Sequence, residues 1–180
     1  SLREAPRQVI ARWIIITLKM GKDDFAGALP FLREIVEIQT DPKRGEKVEL
    51  GFDATIPMQE VFFRLGLCCE RTGAFGAAAD AYFEGLRQNV DYRDMLERYI
   101  NCVDQHNDAA ASVRQLQTLC ATTGETGPVL NCMARCHLKL HDVVAAQQLL
   151  DRCRELNVED DDTAGHLIEC SLLEGNEVRA

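Results

Sequence analysis

The sequence predicts an all-α protein, a single solenoid of stacked antiparallel helix pairs over residues 1–180. Three observations predict it. Cys68, Cys102, Cys136 and Cys170 stand 34 residues apart, three times in succession. Other columns keep the step: Ala78, Ser112 and Ala146 are small, Tyr82, Leu116 and Leu150 are large and apolar, and so are Leu65, Tyr99, Met133 and Leu167. Within each period, apolar residues recur at helical spacing, which marks one buried face. A fixed period of this length describes a unit that buries its apolar face only by stacking on its neighbours.

The first repeat, at about 10–42, is the most divergent. Trp13-x2-Ile16-Thr17-x2-Met20 forms its first helix, and Phe25, Ala28, Leu32 and Ile35 stripe its second. The halves align with the later repeats if the turn around Gly21 is one residue shorter. Pro30 falls inside the second helix and is expected to distort it. An insertion follows at about 43–58, charged and broken up by Gly45, Gly51 and Pro57.

The second repeat, 59–92, carries Phe62, Leu65 and Cys69 on one stripe, with Gly66 beside them for close helix approach. Gly73 occupies the turn, and Ala78, Tyr82 and Gly85 follow. The third, 93–126, places Leu96, Tyr99, Ile100 and Val103 on its first helix, Asn107 at the turn, and Ser112, Leu116 and Leu119 on its second. Ile100 stands where the small residue is wanted, so looser packing is expected there. The fourth, 127–160, opens with Pro128 in a first helical turn. Leu130, Met133, Ala134 and His137, then Val143, Ala146, Leu150 and Cys153, line its two helices. A terminal helix at about 161–175 carries Ala164, Leu167, Ile168 and Ser171 behind the acidic run Glu159–Asp162, and reads either as half of a further repeat or as a cap.

The run Phe62-x2-Leu65-Gly66-x2-Cys69, then Gly73, Phe75, Ala78, Tyr82 and Gly85, resembles the tetratricopeptide repeat. The resemblance covers nearly the whole chain apart from residues 1–9 and the insertion. It implies a right-handed α-solenoid of four repeats plus a terminal helix, whose first helices line a concave face. The related pentatricopeptide arrays have a period one residue longer and bind RNA, which this acidic chain does not suggest.

The family's ligand-facing positions fall on Ile14 and Leu18, then Phe63, Leu67, Glu70 and Arg71, then Glu97, Asn101, Asp104 and Gln105, then Asn131, Arg135, Leu138 and Lys139. The groove so drawn is apolar in its first half and polar in its second. Apolar residues on a solvated face signal binding, unless Val48, Leu50, Phe52 and Ile56 of the insertion fold back to cover them. The family branch that grips chaperone tails uses Lys and Asn, then Asn, then Lys and Arg. Asn101 and Arg135 match that clamp. Asn131 stands where Lys is expected, and Phe63 and Leu67, or Ile14 and Leu18, replace the other Lys and Asn, so tail binding is not expected.

Composition narrows the function classes. The net charge is −9 and the pI near 4.9, which argues against nucleic acid, whose phosphates demand a cationic face, and against anionic membranes. No stretch approaches the ~18 apolar residues of a membrane span. The chain opens on Ser1 with no signal-peptide pattern and reads as an excised segment. Its eight cysteines lie inside helix patterns, so they read as reduced thiols in an intracellular protein, cytoplasmic or nuclear.

Cys132-x3-Cys136-His137, with His141 nearby, has the residue types of a metal site. Structural zinc prefers tighter knuckles, and Cys136 and His137 fall where the repeat wants core residues. Asp23–Asp24 and Glu159–Asp162 read as turns and helix starts, and His106 and His166 have no evident partner. No phosphate loop, metalloprotease motif or nucleophile elbow is present. No cofactor, metal or catalysis is expected. The expected function is a protein-interaction scaffold, holding a partner peptide or helix in the groove as part of a multi-subunit assembly. The alternative is an architectural spacer that docks other subunits through its convex face and ends, its groove filled by the insertion.

Overall fold

The computed structural model describes residues 5–40, 56–156 and 161–177. Among them every regular element is an α-helix: α1 Ala5–Met20, α2 Phe25–Thr40, α3 Met58–Arg71, α4 Phe75–Gln88, α5 Met95–His106, α6 Ala109–Thr123, α7 Gly127–Lys139, α8 Val143–Glu155 and α9 Asp161–Glu177. The chain divides into two compact units, Ser1–Cys102 and Val103–Ala180, with the division inside α5. In the first, α1 packs on α2, α2 on α3 and α3 on α4. In the second, α6 packs on α7, α7 on α8, and α9 on both α7 and α8.

Four short turns share one device. Asp23, Gly73, Asn107 and His141 adopt positive φ of 57°, 78°, 58° and 58°, each two residues ahead of the next helix. Only glycine takes this conformation freely; Asn, Asp and His are the side chains next most often found there. The following residue caps the helix. The carboxylates of Asp24, Asp108 and Asp142 accept from the amides of Gly27, Ala111 and Ala145 at 2.9, 3.0 and 3.2 Å. Ala74 holds the same place before α4 and has no side-chain acceptor.

These turns correct the register of the first repeat. Asp24 N donates to Lys19 O, Ala74 N to Cys69 O and Asp142 N to His137 O, each at 2.9 Å. All three turns therefore have equal length, and the expected shortening around Gly21 is absent; Asp23, not Gly21, takes the left-handed conformation. The first two turns lie 50 residues apart, and the second and last 68, twice the repeat. Trp13 is thereby the counterpart of Phe63 rather than Phe62. Ile14 corresponds to Arg64, and Leu18 to Cys68.

In the first unit Val9, Ile16, Ala28, Leu32, Ile35, Ile56, Val61 and Cys68 form one buried cluster. Ile56 thus packs in the core, while Val48, Leu50 and Phe52 lie outside the described residues. A Cβ on Gly66 would come within 2.5 Å of Tyr82 Cε1, so the bare backbone sets how closely α3 and α4 approach. α2 continues through Pro30, which lies on its exposed face, where water can serve the carbonyl left without an amide donor. The second unit centres on Ala134, Leu138, Val143, Ala146, Leu150 and Cys170.

The column cysteines Cys68, Cys102, Cys136 and Cys170 are all buried, and none of the eight cysteines is in a disulfide. Each column thiol fills a small apolar slot. Burial pushes Cys68 and Cys136 up to about 11 and Cys102 up to about 12.

Two predictions follow from capping and burial. Ala74→Asp should supply the missing cap and stabilise the chain by about 1 kcal/mol, and Asp142→Ala should cost a similar amount, read as opposite shifts in urea midpoint. The raised thiols make the folded chain hold protons that the unfolded chain releases first. Their contribution is complete below the ordinary thiol range and is lost as pH rises toward 11–12. Urea midpoints should fall across that window, and fall less in Cys136→Ala.

Candidate functional site

Of the groove positions expected in the first unit, Phe63 and Glu70 are engaged by the unit's own side chains. Phe63 is 6% exposed. Its ring lies 6.1 Å from Tyr82 and 6.0 Å, edge-on, from Tyr92. The guanidinium of Arg93 sits 4.9 Å over it and that of Arg98 at 5.9 Å. Arg93 holds φ 52°, a conformation costing an L-residue roughly 1–2 kcal/mol; its contacts to Phe63 and Glu60 offset that cost.

Glu60 is the hub beneath. Although buried, it accepts from Arg64 Nε at 2.7 Å and from the Tyr92 hydroxyl, and lies 3.0 Å from Arg93 Nη2. Arg64 in turn covers the Trp13 ring at 4.4 Å and donates to Thr17 Oγ1 at 3.2 Å. Nearly three turns along α3 from Glu60, Glu70 accepts from the Tyr82 hydroxyl at 2.7 Å and from Arg98 at 3.2 Å, while Arg98 Nε also reaches Asp94 at 2.7 Å. Burial, then the bond to the carboxylate, raises both tyrosines above their ordinary range. Glu60, Glu70 and Asp94 balance Arg64, Arg93 and Arg98, so the cluster leaves little net charge to attract an ionic ligand.

Of the other expected groove residues here, Leu67 is half-buried, and Arg71 is exposed with its guanidinium 5.8 Å from the Phe25 ring. Glu97 and Asn101 are exposed. Ile14 and Leu18 are 54% and 59% exposed. Their counterparts Arg64 and Cys68 face back onto α1 and α2, Arg64 over Trp13 and Cys68 in the cluster with Ile16 and Leu32. On this register Ile14 and Leu18 take the places of Arg64 and Cys68, and on α1 those places are exposed.

In the second unit, Asp104 is held by two cations of α7. Arg135 Nη2 donates to Oδ2, and Lys139 Nζ lies 2.5 Å from Oδ1 as an ion pair. Asn131 is buried, with Oδ1 2.6 Å from His166 Nδ1, so His166 does have a partner. Leu138 is buried and Gln105 exposed. His137 Nδ1 lies 3.1 Å from Asp142 at the turn. Among the described residues no three His, Cys, Asp or Glu side chains converge as metal ligands, and no helix is long and apolar enough to cross a membrane.

Sequence reasoning missed the Glu60–Arg64 hub, although a signal was present. Glu60-x3-Arg64 recurs 34 residues on as Asp94-x3-Arg98, and both acids pair with their arginines at i, i+4 spacing. Because Phe63 is buried under this lattice, Phe63→Ala should destabilise the chain by about 3–5 kcal/mol. Glu97→Ala, on an open surface, should change stability by under ~0.5 kcal/mol. Urea denaturation of both variants reads the contrast.

No protein-family model matches the sequence, and no curated protein matches it. Solved structures do. A tetratricopeptide repeat protein from Parabacteroides merdae superposes with a TM-score of 0.64 at 16% identity, covering 94% of this chain and 61% of that one. The ArsTM double mutant of MamA RS-1 gives 0.53 at 12% identity, over 96% and 98%. The tetratricopeptide repeat domain of P58(IPK) gives 0.50 at 17%, over 94% and 47%. The chain thus spans about three-fifths of the Parabacteroides protein and half of the P58(IPK) chain. With its helix pairs and shared turns, the chain has the all-α, tetratricopeptide-like fold.

Proposed function

We propose that the chain is a non-catalytic protein-interaction scaffold within a larger assembly, and that it receives a neighbouring subunit on the outer face of α1. The observation that carries this reading is the exposure of Ile14 and Leu18, 54% and 59%. Their counterparts on α3 are seated against the preceding helix pair, so α1 offers a ready-made seat for another helical element. An exposed apolar pair one turn apart suits an amphipathic helix. The chain's charge of −9 favours a protein partner over nucleic acid. Eight cysteines without a disulfide fit a reducing compartment, cytoplasm or nucleus.

A second reading keeps the partner in the groove, as an extended peptide. It is favoured by the exposure of Arg71, Glu97 and Asn101, whose neighbours Phe63 and Glu70 are engaged within the unit.

The two readings separate by co-purification of the partner from the native source. Ile14→Asp with Leu18→Asp should weaken capture about thirtyfold or more, the loss of a contact worth over ~2 kcal/mol, with helix content unchanged. Glu97→Ala with Asn101→Ala should leave capture intact. The reverse pattern would place the partner in the groove.

A further inference from the structure

Of the chain's three tyrosines, Tyr82 and Tyr99 are fully buried. Tyr92 is not. It lies in the turn between α4 and α5, half-buried, with Asp91 and Asp94 exposed close by. An outside enzyme can reach it by opening one turn, without parting a helix pair.

Tyr92 and its neighbour form a strap across α3. The Tyr92 hydroxyl donates to Glu60, whose side chain is 10% exposed, and its ring stands edge-on to Phe63. Arg93 reaches the same carboxylate at 3.0 Å and lies 4.9 Å over the Phe63 ring. The strap is strained. Among the described residues with positive φ, Arg93 alone is not Gly, Asn, Asp or His, the types that take this conformation most readily. Its contacts to Glu60 and Phe63 hold it there.

A phosphate on Tyr92 would undo the strap. It removes the O–H donor and sets roughly two negative charges beside a carboxylate that is already buried. It also competes with Glu60 for Arg93 and for Arg64, which donates to Glu60 at 2.7 Å. A buried carboxylate stripped of its partners is costly, so the turn withdraws instead. Arg93 then relaxes, and Phe63 loses two of the side chains that cover it.

We propose that Tyr92 is a phosphorylation site, and that the Tyr92–Arg93 strap is the switch it works: closed over Phe63 with the hydroxyl free, open with the phosphate in place. The γ-phosphoryl group of ATP passes to Tyr92 Oη. The new P–O bond forms as the bond to the ADP leaving group breaks, and the hydroxyl proton goes to the kinase's base. Asp91 and Asp94 suit a kinase with a cationic substrate groove. The switch stands on the geometry of this turn and is independent of the α1 reading.

The test exposes the folded full chain to a panel of tyrosine kinases with Mg·ATP, beside a synthetic peptide of residues 87–98. Mass spectrometry should find phosphate on Tyr92 and none on Tyr82 or Tyr99. The folded chain should react more slowly than the peptide, because the strap must open first. Glu60→Gln and Arg93→Ala, which each loosen the strap, should react faster than wild type while keeping helix content. Hydroxyl-radical footprinting should show Phe63 oxidised severalfold faster in the phosphorylated chain, and a phosphatase should reverse this. Tyr92→Phe should take no phosphate and keep Phe63 covered. The proposal is overturned if no kinase modifies Tyr92 in the folded chain, or if Tyr82 and Tyr99 are modified alongside it. It is overturned equally if the phosphorylated chain protects Phe63 as before, or if neither loosened variant reacts faster.

Discussion

No helix pair in this chain can bury its own apolar face. Cys68 and Val61 of α3 complete a core begun by Ile16, Leu32 and Ile35 of α1 and α2, and Cys170 of α9 completes one begun by α7 and α8. Within each unit, one helix pair is finished by the helix that follows it. Among the described residues, Ile14 and Leu18 of α1 and Ile168 and Leu172 of α9 remain exposed. Stability and binding potential thus come from one stacking rule.

Stacking needs a constant rise from pair to pair, and the turns supply it. A left-handed residue followed by an Asp cap reverses the chain in a fixed number of residues, whether Asp23–Asp24, Asn107–Asp108 or His141–Asp142. Gly73–Ala74 achieves the reversal with glycine alone and forgoes the cap. The distance between the first two turns exceeds the repeat by sixteen residues, so the helices keep their phase and the intervening segment absorbs the difference.

Inside the first unit, Glu60, Phe63 and Glu70 of α3 are committed to cohesion. Glu60 and Glu70 are held by arginines and tyrosine hydroxyls, and two guanidinium groups cover Phe63. A partly buried lattice of charge-assisted bonds and cation–π contacts is costly to open because each removed partner leaves another group unpaired. The carboxylates here are structural, and the open apolar surface lies elsewhere.

The sequence by itself determined the helical class, the 34-residue step and the identity of the core columns. Periodicity reports burial directly: a position seen at Cys68, Cys102, Cys136 and Cys170 faces one environment each time. It also made Gly66 legible as a close approach, since Tyr82 follows at the facing position. Only the tertiary structure decided the register of α1, because the sequence pattern sets Trp13 against Phe62 and the hydrogen bonds of the turn set it against Phe63. That single residue of register sets Ile14 against Arg64 and Leu18 against Cys68. The tertiary structure also decided that Phe63 is covered, since its cover comes from Tyr92, Arg93 and Arg98, roughly a full repeat away in sequence. Helical periodicity states which face of a helix is apolar; what lies against that face is set by residues distant in the chain.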